Sequence, residues 1–218
     1  MEWQLFSDVP PDDVRQVLQI ARRRTFSRGE VVFHRDDPAD SLHLVVSGRF
    51  GVRITTPLAD TALIAVHGPG DAFGELALVS DESVRSATVA ALEPAETRSV
   101  YRRDFARLQR EYPSVNAVLV SLLAGQVRRM NERFVEAHYV DADKRVRRRL
   151  CELATIYGGD GGEVTIPLTQ EDIAEMAGTS RATVNRVLRE EQERGTIQLL
   201  RGKTVVRDAG GLAARGGR

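Results

Sequence analysis

The sequence predicts an α+β protein with an N-terminal antiparallel β-roll of the jelly-roll kind, one long helix, and a C-terminal helix pair closed by a β-hairpin. Three observations predict this architecture. Strand-like runs separated by Gly, Pro or Asp recur through the first half of the chain. An uninterrupted helical pattern follows them. Near the C-terminus, two helical patterns joined at a glycine precede a short hairpin.

Composition narrows the class of protein without choosing a function. The length of 218 residues suits two modest domains, and 28% charged residues indicate a soluble globular protein. Lys and Arg total 31, as do Asp and Glu, so any basic surface for a nucleic acid must be local. The single cysteine, Cys151, excludes a disulfide within the chain and an all-cysteine iron–sulfur site.

The sequence gives no sign of export or membrane insertion. Its start lacks the basic and apolar regions of a signal peptide. The apolar stretch 115–124 is too short, and too often interrupted by polar residues, to span a bilayer. We therefore expect a cytoplasmic protein with no membrane partner.

The N-terminal half predicts a short amphipathic helix at 5–21 and then a series of strands. Leu42, Leu44 and Val46 alternate with other residues, which predicts a strand with one face turned inward. The strands are expected at 24–27, 31–33, 41–47, 51–55, 63–67, 86–91 and 98–101.

A cupin-type metalloenzyme would share such a barrel, and it is the enzyme alternative. Its metal requires clustered His and carboxylate ligands. His34, His43 and His67 stand singly, with no His-x-His pair. The sequence therefore favours a protein without a metal site and without catalysis.

Helices are expected from Arg102 onward, and one of them is long. Pro113 fits its first turn, and the pattern continues to about His138. About 25 residues would reach roughly 37 Å, longer than the β-roll needs. A core helix of a single chain would suit this pattern, but a helix that pairs with its copy in a two-fold dimer fits better. Its apolar stripe consists of Val115, Leu119, Leu122, Val127, Met130, Phe134 and Ala137.

Residues 141–143 are expected to form a hinge whose Asp141 can cap the next helix. That helix carries a dense basic run from Lys144 to Arg149. Such a run is usually a solvated helix face. Beside a DNA-binding unit, contact with backbone phosphates is the competing interpretation.

A Gly, a carboxylate and an Arg-Ser pair surround one short loop of the predicted roll. Arg85 offers a planar fork of donors to phosphate oxygens, and Ser86 adds a hydroxyl. Gly74 lets the backbone approach a ligand closely, and Glu75 can accept hydrogen bonds from sugar hydroxyls. This equipment suits a ligand with both a phosphate and hydroxyls. The plainer interpretation is a hairpin loop with a surface Glu–Arg pair.

Residues 169–188 predict a helix-turn-helix. Thr169 with Asp172 resembles a capping box, and Ser180 or Thr179 can cap the second helix. Small Ala174 permits close helix approach, Gly178 the tight turn, and Val184 fills the angle between the helices. Such helix pairs also occur as plain structure, but the hairpin at 194–206 adds a wing and favours DNA binding. The Gly- and Arg-rich tail 209–218 is expected to be disordered.

Two separate motifs resemble the cyclic AMP receptor protein and fumarate-nitrate reduction regulator (Crp/Fnr) family of bacterial transcription regulators. Phe-Gly-Glu-Leu-Ala at 73–77, followed by Arg-Ser-Ala-Thr at 85–88, looks like its phosphate-binding cassette. The helix-turn-helix with its hairpin is similar to the DNA-binding unit of that family. The resemblance covers nearly the whole chain.

The resemblance implies domains and site residues. It implies a cyclic-nucleotide-binding roll with flanking helices at 1–111, a dimerisation helix and hinge at 112–140, and a winged helix-turn-helix at 141–208. The implied ligand residues are Gly74, Glu75, Leu76, Ala77, Arg85, Ser86, Met130 and Asn131. The implied DNA contacts are Thr169, Gln170, Thr179, Ser180, Arg181, Ala182, Thr183, Asn185, Arg186 and Lys203, with Arg181 and Arg186 as base readers.

The same resemblance implies a homodimeric regulator whose DNA binding is controlled by a cyclic nucleotide. Cyclic AMP is the expected effector, and no metal is needed. The implied partners are a two-fold symmetric site in double-stranded DNA, a second copy of the chain, and RNA polymerase.

Two positions depart from the family pattern. Met130 stands where family members offer a hydroxyl to the purine, and Ala182 replaces a Glu on the recognition helix. One alternative keeps the fold but makes the regulator independent of an effector, or responsive to another small molecule or haem. A second alternative is a signalling module that binds nucleotide without using DNA.

Overall fold

The structure, a computed structural model, describes residues 10–55, 61–79, 84–158 and 162–217. They form two compact units, one up to Asn131 and one from Glu132 onward, with residues 62–64 grouped with the second. The first elements in chain order are α1 (Pro11–Ile20), β1 (Arg22–Phe26), β2 (Val31–Phe33), β3 (Ser41–Ser47), β4 (Phe50–Thr55), β5 (Thr61–His67), β6 (Ala72–Phe73), β7 (Thr88–Ala91), β8 (Ala95–Tyr101), α2 (Arg102–Glu111) and α3 (Asn116–Tyr139). The remaining elements are α4 (Ala142–Tyr157), β9 (Val164–Ile166), α5 (Gln170–Ala177), α6 (Arg181–Glu193), β10 (Ile197–Leu200), β11 (Lys203–Val206) and α7 (Ala209–Gly216).

The β-roll consists of two four-stranded sheets. One has the strand order β1-β8-β3-β6 and the other β2-β7-β4-β5, and the registered pairs are antiparallel. Phe26, Phe50 and Phe73 pack between the sheets. The ring centroid of Phe50 lies 5.6 Å from that of Phe26 and 5.1 Å from that of Phe73. The predicted roll is thus confirmed, although the two-residue strand β6 was too short to give a sequence pattern.

Strand β3 is buried on both faces, so the prediction of one inward face is wrong. Leu42 and Leu44 belong to a core shared with the helices, while Val45 belongs to the core between the sheets. His43 is also buried, with 1% of its surface exposed. The reason is that β3 lies between β8 and β6 with helices covering its outer face, so it alternates between two cores.

The first half of α3, with the turn that precedes it, is part of the core of the first unit. Val115, Val118 and Leu122 are buried against Phe105 of α2 and Val17 of α1. A 3₁₀ turn at Pro113–Val115 precedes the helix, which begins three residues later than the predicted start. The predicted helix at 5–21 is observed as α1 from Pro11, and residues before Pro10 lie outside the described ranges.

The second unit is a helical bundle with a three-stranded sheet of order β10-β11-β9. Its core includes Leu150 and Leu153 of α4, Ile173 of α5 and Leu188 of α6, each without exposed surface. Asp141 precedes α4 as expected, but its side chain makes no capping hydrogen bond. The short strand β9 was not predicted, because three residues are too few to establish alternation.

The tail from Ala209 is a helix, which corrects the prediction of disorder. The Asp208 side chain accepts a hydrogen bond from the Gly211 backbone N–H and caps α7. Leu212 is fully buried. Arg148 of α4 donates to the Gly216 carbonyl at 2.9 Å, so the last turn is bound to the bundle.

Most of the basic run on α4 is structural, which corrects the prediction of a solvated helix face. Arg147 and Arg149 are buried and pair with carboxylates within the second unit. Arg145 donates to the backbone carbonyls of Val140, Ala177 and Gly178 at 2.7 to 3.0 Å. These three arginines bind helix ends and carboxylates of their own unit, so they do not form a solvated face. Lys144 is exposed, and contact of this helix with DNA phosphates stays a prediction.

In the described part of the chain, none of the helices combines the length and apolar character that crossing a membrane requires.

Candidate functional site

A cleft of about 520 Å³, open mouth included, brings the predicted loop residues together in the first unit. Its lining includes β6, the 3₁₀ turn Glu75–Leu78 and the residues just before β7. The predicted residues that line it are Gly74, Glu75, Leu76, Ala77, Arg85 and Ser86. Ala77 is buried, whereas Leu76 and Ser86 reach the surface.

Arg85 is a buried cation at the base of this cleft, with 4% of its surface exposed. One terminal nitrogen donates to the Ser41 carbonyl at 2.7 Å and the other to Asp40 Oδ1 at 3.0 Å. The guanidinium lies 3.9 Å from the ring centroid of Phe33. Its Nε is buried and has no hydrogen-bond partner in the described structure. Burial lowers the pKa of Arg85, and Asp40 opposes that effect.

Gly74 is required by the position of Arg85. Its φ of 81° lies in the left-handed region, which favours glycine. A Cβ at this position would stand 2.6 Å from Arg85 Nη1 and 3.0 Å from the Ser41 carbonyl oxygen. Only a residue without a side chain lets the guanidinium lie against the loop.

A buried polar chain connects Arg85 with the interior of the roll. The Ser41 hydroxyl accepts from Arg85 Nη2 at 3.1 Å and lies 3.3 Å from His43 Nε2. His43 Nδ1 lies 3.2 Å from Thr97 Oγ1 and 3.0 Å from Ser99 Oγ. Burial, with the charge of Arg85 second, lowers the pKa of His43 to about 3. The imidazole is therefore neutral near pH 7, which explains why this histidine can occupy a core position.

Two polar residues in the cleft were missed by the sequence prediction. His67, from β5, and Gln126, from α3, both line it. His67 packs against the ring of Phe73 with centroids 5.9 Å apart. Neither residue belongs to a local motif, and the only available signal was that Gln126 interrupts the apolar pattern of the long helix.

Met130 and Asn131 do not line the cleft. They follow Gln126 by one helical turn and lie on the exposed second half of α3, where Met130 is 61% exposed. The structure therefore brings together six of the eight predicted ligand residues.

The second candidate site is the helix-turn-helix of α5 and α6. The capping box of Thr169 and Asp172 is present, and the Ser180 hydroxyl accepts from the Thr183 N–H, so both predicted caps are confirmed. Gly178 ends α5 with φ 59° and ψ 46°. Ala174 and Val184 are buried between the helices, as the pattern predicted.

Most of the predicted DNA contacts lie on an accessible part of this unit. Asn185 donates to Gln170 Oε1 at 3.1 Å, which ties α6 to α5. Arg181 forms no ion pair among the described residues, whereas Arg186 pairs with Asp143 and Glu190. The exposed members are Thr169, Ser180, Arg181, Ala182, Arg186 and Lys203, and the half-buried ones are Gln170, Thr179, Thr183 and Asn185. Lys203 is the first residue of β11, next to the turn that joins β10 to β11.

Each of the two units matches the model of a known domain family. Residues 23–112 match the family model of the cyclic nucleotide-binding domain. Residues 144–215 match that of the Crp-like helix-turn-helix domain. The second match includes α7, in agreement with its position against the bundle.

Curated relatives align along nearly the full length. A "CRP-like cAMP-activated global transcriptional regulator" of Mycobacterium tuberculosis is 30% identical over 97% of this chain and 95% of its own. The "Cyclic AMP receptor protein" of Thermus thermophilus is 33% identical over 94% and 93%. The matched domains and the named relatives are those of transcription regulators and not of enzymes.

Solved structures agree with these matches. The catabolite activator protein of Thermus thermophilus aligns over 97% of both chains, with 32% identity and a TM-score of 0.54. FixK2 from Bradyrhizobium japonicum, at 21% identity, shares the fold with a TM-score of 0.76 over 89% of this chain and 96% of its own. The chain belongs to the Crp/Fnr family of DNA-binding transcription regulators.

Proposed function

We propose that this regulator is a homodimer whose affinity for DNA is controlled by a cyclic nucleotide, with cyclic AMP as the effector. The observation that carries the proposal is the buried Arg85 at the base of a cleft, with its Nε lacking a partner in the described structure. A buried cation with unused donor capacity suits an anion that arrives from solvent.

A cyclic phosphate fits the chemistry of this cleft. We expect Arg85 and Ser86 to donate to its oxygens, and the backbone of Gly74, Leu76 and Ala77 to lie against it. Glu75 would accept hydrogen bonds from the ribose hydroxyl, because a carboxylate repels a phosphate. The family relatives named as cyclic AMP receptors or cAMP-activated regulators support this effector.

We further propose that His67 and Gln126 meet the purine. Both line the cleft and both can exchange hydrogen bonds with a base edge. Met130 and Asn131 lie outside the cleft of their own chain, so we expect them to contact a bound purine only from the partner copy. Met130 would then supply packing without polar recognition.

The second half of α3 supports a homodimer. The first half buries its apolar residues in its own unit, whereas the second half leaves them exposed. Val127, Met130 and Phe134 are 55%, 61% and 62% exposed and lie on one side of the helix. An apolar stripe of this length on a helix is typical of a surface that another chain covers. A second copy makes two DNA-reading helices available to a two-fold symmetric site.

On DNA, we expect Arg181 and Arg186 to read guanine edges in the major groove, and Lys203 to contact phosphate. A nucleotide that binds better to the DNA-competent conformer would raise DNA affinity by linkage. Coupling of about 1–3 kcal/mol corresponds to roughly a 5–150-fold change. RNA polymerase is the further proposed partner. We also expect the protein to be cytoplasmic, because a regulator of this family acts on DNA there.

One selection experiment tests the proposal. The full-length protein would enrich duplexes from a randomised DNA pool, with and without cyclic AMP, alongside Arg85→Leu and the control Arg28→Leu. Arg28 is an exposed arginine of the same roll, outside the cleft. We expect wild type and Arg28→Leu to enrich a palindromic sequence, and to do so only with cyclic AMP. Arg85→Leu should not enrich it in either condition.

Other results would redirect the proposal. Equal enrichment with and without cyclic AMP would favour an effector-independent regulator or one that senses another small molecule or haem. Cyclic AMP binding by calorimetry without any enriched DNA would favour a signalling module that does not use DNA. An Arg85→Leu variant that binds cyclic AMP like wild type would contradict the assignment of the cleft.

A further inference from the structure

The two arginines proposed to read bases are held differently before any DNA is bound. Arg186 Nη2 donates to Asp143 Oδ1 at 2.5 Å, and Arg186 Nη1 donates to Glu190 Oε1 at 2.8 Å. Arg181, at the start of the same helix, forms no ion pair within the described residues. Arg186 is thus occupied by carboxylates, while Arg181 is available to a base.

The two carboxylates on Arg186 are not equivalent. Glu190, one turn along α6, is shared with Arg147 at 3.1 Å and with Arg194 at 3.7 Å. Asp143, in the first turn of α4, forms no other ion pair in the described part of the chain. Hydrogen bonding by Arg186 lowers the pKa of Asp143, so the carboxylate is charged wherever the protein would bind DNA. Among the described residues, Arg186 is thus the ion-pair partner of Asp143, with the charge of Arg147 as a further influence.

A guanine must compete with these acids for the guanidinium. Guanine O6 and N7 are neutral acceptors that an arginine reads with two parallel N–H donors. A hydrogen bond to a carboxylate is charge-assisted and stronger than one to a neutral acceptor. Both terminal nitrogens of Arg186 already donate to carboxylates. Within the described residues, other N–H donors of the guanidinium remain free, but the two ion pairs fix its position. Placing two parallel donors on guanine therefore competes with these ion pairs for the position of the guanidinium.

We propose that Asp143 is a specificity-determining residue that competes with DNA for Arg186. The inference rests on the proposed role of Arg186 as a base reader. It makes Arg181 the stronger reader, and it makes the guanine position opposite Arg186 the more tolerant of substitution. Replacing Asp143 by the isosteric neutral Asn should remove the charged partner of Arg186 Nη2, leave Glu190 as the remaining acid on the guanidinium, and sharpen that position.

The test compares Asp143→Asn with Asp141→Asn in the full-length protein. Asp141 precedes the same helix, so its replacement removes the same charge only two residues away. Its side chain is 83% exposed, and its carboxylate forms one long ion pair, at 4.0 Å, with the Lys144 ammonium and none with Arg186. The probe is the duplex that wild type selects from a randomised pool, in the condition with or without cyclic AMP that gives enrichment. Dissociation constants would be measured for this duplex and for derivatives with each guanine replaced, using fluorescence anisotropy.

We expect Asp143→Asn to bind the selected duplex about two- to fivefold more tightly than Asp141→Asn, because exposed ion pairs contribute up to about 1 kcal/mol. Discrimination should rise by a similar factor at one guanine position only. The gain should disappear in the double variants that also carry Arg186→Ala, since no fork is then left to release. Wild-type thermal unfolding in both Asn variants would confirm that the helix is intact.

Three results would overturn the inference. Equal affinity of Asp143→Asn and Asp141→Asn, or a gain that persists with Arg186→Ala, would mean that only net charge matters. Weaker binding of Asp143→Asn with relaxed guanine preference would mean that Asp143 supports the reading geometry instead of competing with it. A guanine preference unchanged by Arg186→Ala would remove the base-reading role while leaving the regulator intact. By contrast, a wild type that enriches no duplex would refute the proposed function itself, and this inference with it.

Discussion

At the residue scale, Gly74 offers the sharpest test of the cleft, because Gly70 provides a matched control. Both glycines have positive φ, 81° and 93°. A Cβ at Gly70 would meet nothing within 4 Å, whereas one at Gly74 would press on Arg85 and on the Ser41 carbonyl. Each Gly→Ala change should cost about 1–2 kcal/mol of folding free energy from backbone strain. Gly74→Ala should in addition displace Arg85 and lower cyclic AMP affinity at least tenfold, as measured by calorimetry. Equal nucleotide affinity in the two variants would mean that the approach of Arg85 to the loop is not needed for binding.

His43 predicts how the stability of the roll depends on pH. Its folded pKa of about 3 lies below the usual value of 6.5, so below pH 6.5 the unfolded state binds a proton that the folded state does not. The free energy of unfolding should therefore fall by up to about 1.4 kcal/mol per pH unit as the pH decreases from 6.5. Urea unfolding of His43→Gln should lack this slope between about pH 6.5 and pH 5, whereas His34→Gln, at an exposed position, should keep it. A slope that survives in His43→Gln would assign the proton to another group.

Local motifs made some site residues predictable, and tertiary pairing hid the others. Glu75 and Arg85 could be identified because one short loop contains the chemistry they supply. His67 and Gln126 reach the same cleft from a distant strand and helix, so no spacing in the sequence indicates them. Arg147 looked like part of an exposed basic run because its buried partner, Glu191, lies 44 positions away.

At the element scale, one buried carboxylate holds α6, α4 and α7 together. Glu191 has no exposed surface and accepts from Arg147 at 2.8 Å, from Arg215 at 2.5 Å and from Thr196 Oγ1 at 2.7 Å. Burial raises its pKa, but the hydrogen bonds from Arg215, Arg147 and Thr196 outweigh this effect and lower the pKa to about 2. The tail was predicted to be disordered from its glycines, because composition cannot reveal an arginine that binds an acid on another helix.

Glu191→Gln should destabilise the second unit by roughly 2–3 kcal/mol, somewhat less than a fully buried pair since Arg215 is 34% exposed. Hydrogen exchange of the α7 backbone amides should accelerate most, because Arg215 would lose its partner. Because the folded pKa is depressed, the contribution of Glu191 is present above about pH 4.5 and is lost as the pH falls toward 2. Glu193→Gln, an exposed change on the same helix, serves as the control and should leave both readouts unchanged. Protection of α7 that equals the wild type in Glu191→Gln would show that Leu212 and the Asp208 cap suffice.

At the scale of the whole molecule, the apolar residues of the long helix and its preceding turn form a buried group and an exposed group. Val115, Val118 and Leu122 stabilise the fold of one chain, while Val127, Met130 and Phe134 remain exposed. The core-helix interpretation is therefore confirmed for the first half of α3, whereas pairing of the second half with a second copy of the chain stays a prediction. Periodicity alone could not separate them, because an apolar residue gives the same pattern whether its own chain or a second copy covers it.

Phe134→Glu should convert the proposed dimer into a folded monomer. A charge within an apolar interface must be desolvated without a partner, which costs several kcal/mol for each copy. Arg128→Glu, at an exposed position on the same helix, changes the charge without altering the stripe and should remain dimeric.

Sedimentation would measure the oligomeric state, and fluorescence anisotropy would measure binding to the selected duplex and to a single half-site. A two-fold site gains affinity because the second half-site binds at high effective concentration, so Phe134→Glu should lose at least a hundredfold on the full site and little on the half-site. A Phe134→Glu variant that sediments as a dimer and binds the full site like wild type would place the dimer contact elsewhere on the chain.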